Sequence, residues 1–422
     1  MEDPATVRAL THEANRDRVD FDRVPVPPWE DVSFTRGPGA LVLLYAELGH
    51  TDERYRTVAH HYLEWTAAYA DTKANGPLEG GLGGLAVATR AAAEGWDAYQ
   101  SMLRGLDDKV CGFANWLVAV HQATRETGVP TCSGIVDASS GLTGIGRYLL
   151  HRKEFCPRTL RDVLGCLVTL TNPVTVNGAR VPGWWYDATV KTRVDDSFEH
   201  GQINFGLAHG LAGPLALLSL AWQAEVRVPG QAEAITTMAE WLLEWRETDS
   251  YGPYWTSYIP LGYYLERERM PAPGRARPGW CYGPAGIARA LDFAARAMDR
   301  PEWSEAALTA ARASLAKPDD TWSINDDALC HGWAGALRMF DLMDRTFPGQ
   351  GFDLGADSLA RKVIDHFDPQ RPFGYRYFVP SAELYLDLPG FLEGSAGIAL
   401  ALHGYASQPD PASGWDSVLL LR

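Results

Sequence analysis

A pair of glycines three residues apart, followed each time by an apolar run, recurs along almost the whole chain and constrains its fold more than any other feature. The pairs are Gly81/Gly84, Gly141/Gly144, Gly210/Gly213, Gly283/Gly286, Gly332/Gly335 and Gly394/Gly397. A degenerate copy comes first, in TRGPGALVLLYAEL, where Gly39 fits the second position and Arg36 occupies the first. The spacing between copies is irregular, so the connecting loops differ in length.

The run after each glycine pair is apolar on every side, as in Leu215 to Trp222, which predicts a helix buried all round. Amphipathic segments lie between these runs. Tyr55, Val58, Tyr62, Trp65 and Tyr69 share one helical face, as do Ile235, Met238, Leu242 and Trp245, with Glu233, Glu240 and Glu244 elsewhere. Alternating buried and half-exposed helices close most economically as an all-α ring. The expected fold is an α/α toroid, a double α-barrel of seven inner and seven outer helices forming a single domain over residues 1–422. An open solenoid of the same pairs is the alternative. Glycine inside a helix costs about 1 kcal/mol relative to alanine, and crowding of backbones at one end of the ring is the expected reason for it. All inner helices would then start at one end, making it partly positive.

Two segments interrupt the pattern. Residues 152–203, approximately, read as a β-containing insertion, in which Val174–Val176, the turn Asn177-Gly178 and Ala179–Val181 form a hairpin. Tyr251 to Gly279, rich in Tyr, Pro and Arg, reads as an ordered loop, a flap near the mouth of the ring.

Composition removes several functions. The 38 basic residues are outnumbered by 53 acidic ones, giving a formal net charge of −15 with no basic block, which excludes nucleic acid and anionic membrane surfaces as partners. The first twenty residues are densely charged and carry no signal-peptide core. Gly201 to Ala224 is uncharged, but it holds Gln202, Asn204, His209, Pro214 and several glycines, so a buried helix is expected there and no membrane span. Six cysteines without a CxxC pair point to a reducing, cytoplasmic location.

The chemistry precedes the glycines. One position before the first glycine stand His209, Tyr282 and His331; two before stand Cys281 and Cys330; Asp137 lies four before Gly141. Consecutive repeats are neighbours in a ring, so these side chains are expected to converge. Two thiolates and an imidazole suit zinc, with Cys281, Cys330 and His331 as ligands. His209 is the only candidate at this register for a fourth: three protein ligands plus water make an open, catalytic site, and four a closed, structural one. Cys111, Cys132, Cys156 and Cys166 lack such company, His60-His61 belongs to an outer helix, and Glu79 and Glu393 flank glycine pairs, where capping or backbone hydrogen bonding accounts for them as well as chemistry does. An open Cys2His zinc favours binding a soft thiol, which is only a few per cent thiolate at pH 7 when free, over activating water.

The motifs Asp137…Gly141-Leu142-Thr143-Gly144, Ala208-His209-Gly210, Trp280-Cys281-Tyr282-Gly283, Cys330-His331-Gly332 and Phe391-Leu392-Glu393-Gly394 together resemble the lanthionine synthetase C-like family, the cyclases of lanthipeptide biosynthesis. The resemblance spans all the repeats. It implies a toroid with a central zinc held by Cys281, Cys330 and His331, acid–base roles for His209 and Asp137, a basic active-site position at Arg277 and a tyrosine beside the metal at Tyr282. The implied reaction carries Cys thiols of a dehydrated precursor peptide, leader plus core, onto dehydroalanine or dehydrobutyrine to form thioether rings. His209 would protonate the enolate, and Arg277 would stabilise its oxygen.

Little chain precedes the first repeat, so a stand-alone cyclase is expected, with a separate dehydratase and an exporter complex as partners. Three alternatives stand beside it. One is a relative that adds glutathione to dehydrated residues in proteins, another a peptide-binding scaffold with structural zinc. The third, an α/α-barrel glycosidase using Asp137 and Glu393, would leave the Cys/His cluster idle.

Overall fold

A computed structural model describes residues 2–18, 27–70, 78–187, 196–407 and 410–422. Helices dominate it, and by internal contacts the chain divides into two units. The first comprises Met1–Val110 with Ser323–Ser417, and the second Cys111–Trp322 with Val418–Arg422.

In the first unit, each glycine repeat opens a buried helix: Pro38–Leu48, Gly81–Ala93, Trp333–Thr346 and Ser395–Ser407. These four pack side by side, Trp333–Thr346 against Ser395–Ser407, that helix against Pro38–Leu48, and Pro38–Leu48 against Gly81–Ala93. The last repeat therefore packs on the first, which an open stack of repeats does not allow. Half-exposed helices Arg54–Ala70 and Phe352–Asp365 cover Pro38–Leu48 and Trp333–Thr346. The helix Pro4–Asn15, ahead of the first repeat, is also half-exposed and leans on Arg54–Ala70. Its Asn15 side chain brackets Asp387 just upstream of the last repeat, Nδ2 donating to the Asp387 carbonyl and Oδ1 accepting from its N–H, both at 2.9 Å.

The second unit repeats the plan. Buried helices Leu142–His151, Ala212–Gln223 and Pro284–Met298 lie in chain order, the middle one touching both others. Pro157–Val168, Gln231–Glu244 and Pro301–Ala316 flank them with one face exposed. Helix Gln100–Glu126 runs across the division of the chain between Val110 and Cys111.

The buried helices are less uniformly apolar than expected. Four of them bury an arginine: Arg90, Arg147, Arg289 and Arg338. Arg338 bonds Asp341 at 2.6 Å and also Asp416, while Arg90 donates to the carbonyls of Ser413 and Gly414 at 3.0 and 3.1 Å. The Arg338 charge is thus met by carboxylates and that of Arg90 by carbonyls, as burial of a charge requires.

The close backbone approach expected at the glycines is found. At Gly84, Gly213, Gly286, Gly335 and Gly397 the chain doubles back ahead of the buried helix, and the carbonyl six residues upstream lies against the glycine. A side chain at Gly397 would put its Cβ 1.7 Å from the Phe391 carbonyl oxygen, and one at Gly283, whose φ is +112°, would lie 1.9 Å from that of Arg277. The close approach is made by the repeat's own loop. That loop also satisfies the first-turn N–H groups, which have no partner inside a helix. Trp333, Ala334 and Gly335 donate to the carbonyls of Asp326, Asp327 and Ala328, each seven residues earlier, at 3.1 to 3.3 Å. Ser395, Ala396 and Gly397 do the same to Leu388, Pro389 and Gly390. The positive helix ends expected from the sequence are therefore largely spent on backbone carbonyls in these two repeats.

Adjacent capping loops are laced together. Ala138 N–H donates to the Ala208 carbonyl and Ala208 N–H to that of Cys281, while in the first unit Cys330 N–H donates to Leu392 and Phe391 N–H to Thr35.

The hairpin Val174–Val176 with Ala179–Val181 forms as expected, with Asn177 and Gly178 both at positive φ, as a type I′ turn requires. The remainder of the expected insertion is mixed: Pro157–Val168 is helical, and residues 188–195 lie outside the described residues. A three-stranded sheet orders Trp185–Tyr186, Gln202–Asn204 and Tyr258–Pro260. The segment read as a loop after Tyr251 thus contributes a strand, along with Gly252–Tyr254 and the short helix Leu261–Glu266.

Candidate metal centre

Cys281 sits in the capping loop that opens Pro284–Met298. It is buried, and its carbonyl accepts the Ala208 N–H at 3.3 Å. Cys330 and His331 hold the corresponding places before Trp333–Thr346. Their loop is braced by Asp326, which accepts the N–H groups of Ala328 at 2.9 Å and Phe378 at 3.1 Å, and the His331 ring meets Tyr377 edge-on at 5.9 Å. The sulfur atoms of Cys281 and Cys330 and a ring nitrogen of His331 lie within 4.8 Å of one another. A single ion at about 2.0–2.3 Å from each atom would draw them somewhat closer, a change that small side-chain rotations supply. The donor set fits a metal, and soft thiolates with imidazole select against magnesium or calcium. His209 is not part of this group.

His209 is instead committed to Asp137. Its Nδ1 lies 2.8 Å from Asp137 Oδ2. The other carboxylate oxygen, Oδ1, accepts the backbone N–H groups of Ser140 at 2.7 Å and Gly141 at 3.0 Å. Asp137 is buried and held as an acceptor by its own loop, so the imidazole Nδ1 carries the hydrogen of the pair. Here the spacing of four residues before the glycine has a geometric meaning, because it brings the carboxylate back over the loop that precedes the helix.

Tyr282 stands beside these groups in the second unit, its ring 6.2 Å from His209 and 5.2 Å from Tyr258. Its hydroxyl is 3.5 Å from Asn204 Nδ2 and hydrogen-bonded to Tyr258. Asn204 and Tyr258 are register partners on neighbouring strands, so the small sheet positions the tyrosine. Burial raises the Tyr282 phenol well above its usual value and pushes that of Tyr258 up to about 12. Both are neutral hydrogen-bonding groups at ordinary pH. Arg277 is half-buried, close enough for its charge to act on Tyr258.

Asn204, Tyr258 and Tyr377 carry no register signal in the sequence, because all three lie on strands outside the glycine repeat. Arg36, which stands in place of a repeat glycine, and Glu393, which flanks the last glycine pair, form a half-buried ion pair. Their partnership has no sequence signal, since 357 positions separate them. His60 lies on the half-exposed helix Arg54–Ala70, as expected, bonded to Tyr99 at 2.9 Å.

The family model described as lanthionine synthetase C-like protein matches residues 28–420. Nisin biosynthesis protein NisC of Lactococcus lactis subsp. lactis is 20% identical over 384 residues, covering 88% of this chain and 85% of that protein. The solved structure of a nisin cyclase superposes with a TM-score of 0.78 at 20% identity, over 98% of this chain and 96% of that one. The α/α toroid expected from the glycine repeat is the fold this match gives.

Proposed function

Because the chain belongs to the lanthionine synthetase C-like family, we propose that it is a zinc-dependent lanthipeptide cyclase. It adds cysteine thiols of a dehydrated precursor peptide to dehydroalanine or dehydrobutyrine, forming lanthionine and methyllanthionine rings. The observation that carries the reading is the donor set of Cys281, Cys330 and His331, gathered within 4.8 Å.

Cys281, Cys330 and His331 would hold the metal, which supplies a Lewis acid able to keep a bound thiol deprotonated at neutral pH. The other steps belong to the chain. His209, with Nδ1–H fixed on Asp137, handles protons through Nε2. It takes the proton released by the thiol. The sulfur adds to the β-carbon, the carbon–carbon double bond becomes an enolate, and His209 returns the proton to the α-carbon. One carbon–sulfur bond forms, one π bond is lost, and nothing is oxidised or reduced. Arg277 offers positive charge for the enolate oxygen. Tyr282, kept neutral by burial, donates a hydrogen bond beside Cys281.

Involvement of Nδ1 with Asp137 and the absence of His209 from the donor group favour an open, three-ligand site over a closed structural one. Dehydration of the precursor and export of the product fall to other proteins, a dehydratase and an exporter. No helix among the described residues is long and apolar enough to cross a membrane, and the proposed workplace is the cytoplasm.

Zinc-edge X-ray absorption on the purified chain tests the metal, with a shell of two sulfurs, one imidazole nitrogen and one light atom expected. A dehydrated Cys-containing peptide tests the reaction, through disappearance of free thiols without change in mass. A second imidazole in the shell with no thiol loss would overturn the cyclase reading. Thiol loss from added glutathione, with the peptide gaining its mass, would replace cyclisation by intermolecular addition.

A further inference from the structure

The residue before the metal ligand Cys281 is anchored to a distant part of the chain. Trp280 is 3% exposed, and its indole Nε1–H donates to the Leu419 carbonyl at 2.8 Å. Leu419 belongs to Val418–Arg422, a segment that clusters with the second unit although the neighbouring Ser417 does not. From Val418 to Leu421 the segment is buried, and two more of its carbonyls are taken by two of the core arginines. Arg289 Nε donates to Leu421 at 2.8 Å, and Arg147 donates to Arg422 at 2.7 Å.

These donors are placed systematically. Arg289 lies on Pro284–Met298, the helix opened by the loop that carries Cys281, and Arg147 on Leu142–His151, opened by the loop that carries Asp137. Leu420, between two captured carbonyls, is held at φ +57°. A leucine adopts that conformation only where its surroundings dictate it. The segment is therefore fixed from several sides at once, and it fixes Trp280 in return.

We propose that Val418–Arg422 is an internal strut of the metal centre, which contributes no ligand but sets the position of Cys281 through the Trp280–Leu419 hydrogen bond. Trp280 acts as a positioning residue. The inference rests on the zinc reading of Cys281, Cys330 and His331. It adds that metal affinity is controlled from this segment.

The test is zinc affinity of the full-length, metal-stripped protein, measured by competition with a chromophoric chelator. Trp280→Phe keeps a ring in place and removes the N–H donor. Affinity is expected to fall about tenfold, the scale on which groups behind metal ligands act. Trp303→Phe, at a tryptophan buried on Pro301–Ala316, serves as the control and is expected to leave affinity unchanged. The rise in melting temperature on adding zinc should shrink in Trp280→Phe, whereas a merely structural role would lower the metal-free and metal-loaded values alike. Should Trp280→Phe not fold, Arg147→Lys loosens the same segment from another helix and is expected to weaken zinc severalfold. Wild-type affinity in the folded variants overturns the strut while leaving the zinc site standing. Failure of the wild-type protein to bind zinc overturns both.

Discussion

His209 Nδ1 lies 2.8 Å from Asp137 Oδ2, a contact between residues 72 positions apart in two consecutive repeats. Asp137 spends its other oxygen on the loop that precedes its own helix. The carboxylate is thus rigid, and the imidazole it holds is turned so that one nitrogen is reserved for structure. Asp137→Asn keeps the shape but offers an amide that can present either donor or acceptor to Nδ1. Turnover of a dehydrated peptide is expected to fall about 100-fold or more, with zinc content unchanged; loss of zinc alongside activity would show the pair to be part of metal binding.

Cys330→Ala removes one of two thiolates. Metal analysis is expected to find zinc per chain dropping from about one to near zero after dialysis against a mild chelator. Because metal binds only the folded state, the wild-type protein should also melt at a lower temperature once stripped, and Cys330→Ala should show no such difference. Equal melting temperatures for loaded and stripped wild type would speak against the site.

Gly397→Ala tests the capping loop. The new Cβ would meet the Phe391 carbonyl at 1.7 Å, so either the loop or the helix start must move. A loss of about 3 kcal/mol or more is expected in urea unfolding. Gly165→Ala, on a helix with nothing within 4 Å of the added carbon, should be neutral or slightly stabilising.

Stability should fall at both ends of the pH scale for separate reasons. Burial, with a smaller contribution from Arg125, lowers the His121 imidazole to about 4. In the unfolded chain it binds a proton near the usual 6.5, so stability present above that value is lost as pH falls towards 4. His121→Gln should flatten this limb. Burial pushes the phenols of Tyr45 and Tyr258 up to about 12, against 10.0 when free. Above pH 10 the unfolded chain has released protons that the folded one retains, and stability declines as pH rises through 12. Melting temperatures across both ranges, with phenolate absorbance on the alkaline side, check the signs.

What the sequence made legible was whatever repeats. Gly210, Gly283 and Gly332 put His209, Cys281 and Cys330-His331 in register, and alternation of face-wide and one-sided apolar runs separated buried from half-exposed helices. Pairings that ignore the repeat stayed hidden. Asn204 and Tyr258 meet Tyr282 through a three-residue strand ladder too short to show a period, and Arg36 finds Glu393 only because the last repeat packs against the first. The glycines were legible as points of close backbone approach, but not the carbonyl that makes it, since the upstream residues are of no fixed type. Helix Pro4–Asn15 lay outside the pattern for a similar reason, because it precedes the repeats.

The loops before Trp333–Thr346 and Ser395–Ser407 cap their helices with main-chain atoms, drawing first-turn N–H groups onto carbonyls seven residues back. Side chains one and two places before the glycine take no part in this capping. Those places hold Ala-His, Cys-Tyr, Cys-His and Leu-Glu in four consecutive repeats. Each loop works as a socket of fixed shape with exchangeable contents, so a new chemical group can be fitted at any of them without redesigning the helix behind it.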